Sequence, residues 1–169
     1  MLVIAGPAGV GKTSVAFEVS LHLQAAKVGH AVIDTDELDH VYPPPDDLSK
    51  LTERNLAAMW QAFAERGTRR LILAGVYLDR PSELEWIARA VPNAHFTLVR
   101  LRASESGLYA RLRQREIGTG MEAQWESTKR QIARLHADQR PDLHEIETDG
   151  RSVTQIARQV LDIWRPAIR

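Results

Sequence analysis

The residues best suited to chemistry stand near the amino terminus, in the run Gly6-Pro7-Ala8-Gly9-Val10-Gly11-Lys12-Thr13. This run has the spacing of a Walker A motif, or P-loop, in which glycines let the backbone wrap closely around a phosphate. Backbone N–H groups and the helix dipole then hold the α- and β-phosphates, the lysine reaches the β- and γ-phosphates, and the hydroxyl residue ligates Mg²⁺. We therefore expect ATP and Mg²⁺ as cofactors, bound at the start of the first helix.

The motif also predicts the roles of individual residues. Lys12 is the expected catalytic cation, and Thr13 is the expected ligand of Mg²⁺. The alternative is a glycine-rich turn with an incidental lysine, which is disfavoured because a buried strand precedes the run and an amphipathic helix follows it. The predicted nucleotide-binding residues of this region are Gly6, Ala8, Gly9, Val10, Gly11, Lys12, Thr13 and Ser14.

Two aspartates follow the next apolar segment, as Asp34-Thr35-Asp36. In an open α/β sheet, ligands bind beyond the carboxyl ends of the strands, so these carboxylates are expected near the phosphates. One of them can orient Mg²⁺ through water, while the other accepts a proton from an attacking hydroxyl. Which of the two is the base stays open at this level. The structural alternative is that both cap and solvate the next helix.

The elements that must position these residues can be read from the hydrophobic pattern. Leu2 to Ala5 is continuously apolar, which is typical of a strand buried on both faces of a parallel sheet. Further apolar segments follow, and between them lie segments whose apolar residues recur at helical spacing. Ser82–Glu85 and Ser152–Gln155 have the pattern of helix capping boxes. The order predicts one α/β domain over residues 1–169, with three layers and a five-stranded parallel sheet. The other predicted strands cover residues 31–33, 71–76, 96–101 and 143–148.

The composition narrows the class of partner. The chain has 169 residues, a formal net charge of zero and no cysteine. A neutral chain has no global field to hold nucleic acid or an anionic membrane, and no apolar run approaches the ~20 residues of a membrane span. We expect a cytoplasmic protein whose partner is a small-molecule acceptor substrate, with neither nucleic acid nor membrane as a ligand. The sequence leaves the oligomeric state open.

With these elements in place, the chain resembles the small P-loop kinases of the shikimate kinase, gluconate kinase and adenylylsulfate kinase group. The resemblance is carried by the GPAGVGKT loop, by Asp34-Thr35-Asp36 and by Thr148-Asp149-Gly150 after the last strand. It implies a P-loop NTPase fold with a helical lid. It also implies that Asp34 is the magnesium-linked acid or the catalytic base, and that Asp36 contacts the acceptor. The third strand departs from the shikimate kinase pattern, because Gly75 alone stands where a glycine triplet is expected.

The segment from about residue 111 to residue 130 resembles the lid of these kinases. Arg111 and Arg115 lie one helical turn apart and share a face, so both can reach a nucleotide, whereas Arg113 points elsewhere. A guanidinium can stack on adenine or stabilise charge on the transferring phosphoryl group. We expect Arg115 to be catalytic, Arg111 to bind the nucleotide and Arg130 to face the substrate when the lid closes. The alternative is a solvated helix pair with Arg–Glu ion pairs.

These observations predict an enzyme that transfers the γ-phosphoryl of ATP to an alcohol-type acceptor. The acceptor is expected beside Asp36, Tyr42 and Gly75, where the chain is acidic and favours a neutral or weakly charged molecule. Two alternatives stay open. One is a nucleoside or nucleotide kinase, and the other is a nucleotide-binding regulatory protein with slow ATPase activity.

Overall fold

A computed structural model describes residues 1–115, 120–137 and 140–168. Strands and helices alternate through this part of the chain, and a short 3₁₀ turn, Thr35–Glu37, follows the second strand. The strands are β1 (Leu2–Ala5), β2 (Ala31–Asp34), β3 (Leu71–Ala74), β4 (Thr97–Arg102) and β5 (Leu143–Glu147). The helices are α1 (Lys12–Ala25), α2 (Leu48–Glu65), α3 (Pro81–Ala90), α4 (Glu105–Arg115), α5 (Met121–Ala137) and α6 (Val153–Ile168).

The five strands form one parallel sheet in the order β2-β3-β1-β4-β5. The predicted α/β class and five-stranded parallel sheet are thereby confirmed. Strand β1 is central, because Leu2 pairs with Ile72 of β3 on one side and with Thr97 of β4 on the other. The glycine-rich loop therefore leaves the middle of the sheet at its carboxyl edge, which is the edge where ligands bind in open α/β folds.

The continuous apolar character of β1 reflects burial on both faces. Leu2 and Ile4 pack into a core shared with α1 and α6, whereas Val3 packs into a second core shared with α2 and α3. All three side chains are fully buried. The side chains of this central strand meet a helix layer on either face, so the alternation typical of half-exposed strands is absent.

The two predicted capping boxes have different outcomes. At the start of α6, the Ser152 N–H donates to Oε1 of Gln155 at 2.9 Å and the Gln155 N–H donates to Oγ of Ser152 at 3.2 Å. The box predicted from Ser82 and Glu85 does not start α3, which begins one residue earlier at Pro81. Proline is favoured at the first helical position because its fixed φ suits the helix and its missing N–H would have no intrahelical partner.

Helices α4 and α5 contact each other and lie over the glycine-rich loop. The rings of Tyr109 and Trp125 meet edge to face with centroids 5.2 Å apart, and Leu112 contacts the loop at Gly9. The lid predicted over residues 111–130 includes positions 116–119, which lie outside the described residues. None of the helices in the described part is long and apolar enough to cross a membrane.

Candidate active site

The glycine-rich loop has the backbone shape that its sequence requires. Gly6 has a φ of 145°, and a Cβ at this position would lie 2.6 Å from the carbonyl oxygen of Leu101. Gly11 has a φ of 100° and forms the N-cap of α1 without a side-chain cap. The first N–H groups of α1 are thus not capped by the side chain before them, and this helix terminus is suited to an anion.

A cavity of about 480 Å³ lies at the start of α1, and we call it the phosphate cavity. Its cationic side chains within the described residues are Lys12 and Arg111. Lys12 is largely buried, and its Nζ donates to the carbonyl oxygen of Pro7 at 3.1 Å. The loop and first-turn residues that line the cavity are Ala8, Gly9, Gly11, Lys12, Thr13 and Ser14, and the other lining residues are Asp34, Asp36, Glu37, Val76, Arg111, Leu112 and Gln124.

Thr13 and Asp34 meet at the edge of the phosphate cavity. The Thr13 hydroxyl donates to Oδ2 of Asp34 at 2.6 Å, and the backbone N–H of Asp36 donates to Oδ1 of the same carboxylate at 3.2 Å. This pair of oxygen donors suits Mg²⁺, which takes one or two protein ligands and completes its shell with water and phosphate oxygens. The described part of the chain holds no cluster of three or more His, Asp or Glu residues that could bind a metal on its own.

Asp36 lies between the phosphate cavity and a second cavity of about 290 Å³. We call this second space the acceptor cavity. Asp36 and Val76 line both cavities, so the two spaces adjoin at the carboxyl ends of β2 and β3. The remaining residues that line the acceptor cavity are Thr35, Asp39, Leu48, Ser49, Thr52, Tyr77, Leu78, Glu83 and Trp86.

Three residues that we expected to contact the acceptor line neither of these cavities. Gly75 lines neither cavity, and a Cβ on it would collide with the Thr35 hydroxyl and the Leu78 side chain. Its absent side chain lets the end of β3 pack against the 3₁₀ turn. Tyr42 is 93% exposed and Arg130 is exposed on α5, and neither lines these cavities.

Arg111 is held at the rim of the phosphate cavity. Its Nη1 donates to Oγ1 of Thr148 at 2.9 Å and to the carbonyl oxygen of Val10 at 3.4 Å, and its Nη2 lies 3.4 Å from Oδ1 of Asp149. Arg111 also lines a further cavity of about 270 Å³ together with Thr148 and Arg151. Arg115 is the last residue of α4, and its side chain lies outside the described part of the chain.

Asp149 connects the β5–α6 turn to the start of α4. Its Oδ2 accepts the backbone N–H of Ser104 at 2.7 Å. The hydrogen bonds from Ser104, assisted by the charge of Arg111, lower the pKa of Asp149 below its ordinary value. In the motif Thr148-Asp149-Gly150, Thr148 thus lies beside Arg111, and Asp149 anchors the start of α4.

Sequence reasoning missed two glutamines of α5. Gln124 lines the phosphate cavity, and Oε1 of Gln131 accepts the backbone N–H of Ala8 at 2.8 Å. Their spacing of seven residues puts them on one helix face, but that signal does not say which element the face meets. The arginine pattern of this region therefore gives no indication of this face of α5.

A cavity larger than the phosphate cavity lies away from the glycine-rich loop. It measures about 710 Å³, runs between α2 and α3, and shares Ser49, Glu83 and Trp86 with the acceptor cavity. Its charged groups include the Arg89–Glu53 ion pair, whose closest atoms are 2.7 Å apart. The smaller phosphate cavity is the candidate active site, because backbone donors, a buried lysine and the Thr13–Asp34 pair converge there.

The sheet order and the glycine-rich loop after the central strand give this chain a fold of the small P-loop kinase type. A gluconokinase from Sinorhizobium meliloti aligns with 99% of this chain and 92% of its own at 20% identity and a TM-score of 0.61. A tunicamycin resistance protein from Deinococcus radiodurans aligns with 95% of this chain and 93% of its own, at 20% identity and a TM-score of 0.65. The Mycobacterium tuberculosis APS kinase, solved in complex with AMPPNP and APS, aligns over 97% and 96% at 21% identity and a TM-score of 0.62. No protein-family model and no curated protein sequence matches the chain.

Proposed function

We propose that this protein is an ATP-dependent phosphotransferase that moves the γ-phosphoryl of ATP to a hydroxyl of a small molecule in the acceptor cavity. The observation that carries the proposal is the contact between the two cavities at Asp36 and Val76. One cavity has the lining of a phosphate site, and the other opens from it at the carboxyl edge of the sheet. Kinase structures of the same fold support this class of activity.

The nucleotide would lie with its phosphates on the glycine-rich loop and its base toward the cavity beside Arg111. Backbone N–H groups at the start of α1 and the Lys12 ammonium stabilise the phosphates and the charge that develops during transfer. The cavity lined by Arg111, Thr148 and Arg151 begins at the same loop and offers guanidinium groups that can stack on adenine. The predicted roles of Lys12 and Arg111 are retained in this proposal.

Thr13 and Asp34 would hold Mg²⁺, since their oxygens converge at the phosphate cavity. Bound Mg²⁺ neutralises charge on the β- and γ-phosphate oxygens. The Thr13 hydroxyl would serve as one ligand, and the Asp34 carboxylate would orient the hydrated ion. Asp34 also accepts the backbone N–H of Asp36 and so fixes the turn that presents Asp36 to the acceptor.

Asp36 is the residue that we assign as the proton acceptor. In the transfer step the acceptor oxygen forms a bond to the γ-phosphorus, the bond to the β–γ bridging oxygen breaks, and ADP leaves. The hydroxyl proton passes to the Asp36 carboxylate, which lies between the two cavities. Positioning and charge stabilisation supply most of the rate enhancement in such reactions.

The charge of the acceptor cavity favours a neutral or cationic acceptor. The ionisable groups that line it include Asp36, Asp39 and Glu83, and no lysine or arginine of the described residues is among them. Arg80 lies 5.7 Å from the ring centroid of Tyr77 but is not part of the lining. An anionic acceptor such as a nucleotide or sugar acid would meet like charges here, and this disfavours the nucleotide kinase alternative.

The test is ATP consumption by the protein with Mg²⁺ and panels of neutral, amine-bearing and anionic hydroxyl compounds. The panels include nucleosides, sugars, antibiotics and nucleotides. We expect at least one neutral or amine-bearing compound to accelerate ATP turnover and to appear as its phosphorylated product. ATP turnover that no compound accelerates would instead support the regulatory protein with slow ATPase activity.

The matched control is Lys12→Ala. We expect this variant to keep its fold, as judged by circular dichroism and thermal unfolding, and to lose phosphoryl transfer. Preorganised electrostatic groups of this kind contribute about 3–4 kcal/mol to the transition state, which corresponds to a loss of roughly 10²–10³ in rate. A folded Lys12→Ala protein with unchanged turnover would refute the assignment of the glycine-rich loop.

A further inference from the structure

Helix α5 touches the glycine-rich loop at the backbone of Ala8. The N–H of Ala8 donates to Oε1 of Gln131 at 2.8 Å, in a partly buried contact between residues 123 positions apart. Ala8 itself lines the phosphate cavity. One N–H of the loop is therefore held by a side chain of α5, and this contact constrains the loop where it must match the phosphates.

A second residue of α5 reaches the phosphate cavity on the same face. Gln124 lines this cavity with Lys12 and Thr13. Thr128 lies between the two glutamines, is fully buried, and donates its hydroxyl to the carbonyl oxygen of Gln124 at 2.9 Å. Positions 124, 128 and 131 follow the spacing of one helix face, so this face of α5 is turned toward the loop.

We propose that α5 supplies two glutamines with separate roles: Gln131 positions the glycine-rich loop through Ala8, and Gln124 binds the terminal phosphoryl group of ATP. The inference rests on the proposed function only in taking the phosphate cavity as the site of ATP. Because a primary amide is neutral and carries two N–H donors, Gln124 can bind a phosphoryl oxygen without adding charge. Gln131 uses its oxygen as the acceptor and is a positioning residue.

The two roles predict different effects on nucleotide affinity. A contact to the terminal phosphoryl group exists with ATP and is absent with ADP. Loss of Gln124 should therefore weaken the ATP complex alone. Support of the loop is needed for every phosphate that the loop holds, so loss of Gln131 should weaken both complexes to a similar degree.

The experiment measures the affinities of ADP and of AMPPNP, each with Mg²⁺, by titration calorimetry. For Gln124→Ala we expect AMPPNP to bind roughly tenfold more weakly, the effect of one lost hydrogen bond to a charged group, with ADP unchanged. For Gln131→Met, which keeps the length but removes the acceptor, we expect both to bind roughly tenfold more weakly. Glu122→Gln, an exposed change on the same helix, is the control and should leave both affinities unchanged.

Equal weakening of ADP and AMPPNP by Gln124→Ala, or no effect, would overturn the role of Gln124. An unchanged affinity in Gln131→Met would overturn the role of Gln131. Gln124→Glu provides a second variant in case the alanine protein does not fold, and its charge should weaken AMPPNP more than ADP. Nucleotide binding needs no acceptor, so the loss of AMPPNP affinity in Gln124→Ala can be observed even if no phosphoryl transfer is found. In that case the proposed function fails while the role of Gln124 is supported. If wild-type protein binds neither nucleotide, both proposals are wrong.

Discussion

At the scale of single residues, the two aspartates after β2 have different surroundings although only one position separates them. The Asp34 carboxylate accepts the Thr13 hydroxyl and the backbone N–H of Asp36, so it is directed toward the first turn of α1. Asp36 lines both the phosphate cavity and the acceptor cavity. On the proposed function, Asp36 is therefore the better candidate for taking a proton from an acceptor, and Asp34, which meets Thr13, is the better candidate for orienting Mg²⁺.

The corresponding prediction compares Asp36→Asn with Asp34→Asn. Asp36→Asn should lower the transfer rate by roughly 10²–10⁴, the contribution typical of general base catalysis, while nucleotide affinity stays near that of the wild type. Asp34→Asn should instead raise the Mg²⁺ concentration that is needed for half-maximal rate. Both are measured by steady-state kinetics with varied Mg²⁺ and with the acceptor found in the panel. The reverse pattern would exchange the two roles.

At the scale of elements, α4 is positioned by a few polar contacts that span distant parts of the chain. Asp149, in the turn after β5, accepts the N–H of Ser104 just before α4, and Arg111 of α4 donates back to Thr148. An aspartate at a helix start also interacts favourably with the positive end of the helix dipole. These contacts fix the register of α4 over the loop and place Arg111 at the rim of the phosphate cavity.

This anchoring predicts a pH dependence of stability. The pKa of Asp149 is lowered in the folded protein by its hydrogen bonds with Ser104, so the charged carboxylate stabilises the native state. That contribution is fully present above the ordinary aspartate value of about 3.9 and is lost as pH falls through the lower pKa of the folded state. Asp149→Asn should therefore be less stable than wild type at neutral pH, and the gap should shrink in acid. Urea denaturation over this pH range measures it, and a gap that stays constant would contradict the prediction.

At the scale of the whole molecule, the described parts of α4 and α5 close one side of the phosphate cavity. Leu112 contacts Gly9, Arg111 contacts Val10, and Gln131 contacts Ala8. Three residues of the loop thus contact helices that lie about one hundred or more positions further along the chain. We expect nucleotide binding at the loop to affect these helices, because their side chains contact the backbone of the loop.

Hydrogen exchange tests this coupling. With AMPPNP and Mg²⁺, we expect slower amide exchange in the glycine-rich loop and also across residues 111–115 and 120–130, because closure over the nucleotide excludes water from the site. The same measurement on Lys12→Ala serves as the control and should show little added protection. Protection confined to the loop would mean that α4 and α5 form an ordinary solvated helix pair, and that Arg111 has no part in binding.

The sequence alone was sufficient for the parts of this protein that depend on contiguous residues. The glycine-rich loop is one such part, because the positive φ angles of Gly6 and Gly11 and the Lys12–Thr13 pair are encoded within eight positions. The buried parallel strands are another, because burial on both faces leaves a continuous apolar run. The Ser152–Gln155 cap likewise needs only four residues.

Contacts between distant elements were decided by the tertiary structure. Gly75 was expected at the substrate, but its missing side chain accommodates Thr35 and Leu78, and the contact with Thr35 arises only when β2 and β3 lie side by side. The partners of Arg111 and the approach of Gln131 to Ala8 depend on how α4 and α5 dock on the loop. Spacing along a helix defines which residues share a face. What that face meets is set by the free energy of packing the whole chain, because it depends on every other element that competes for the same surface.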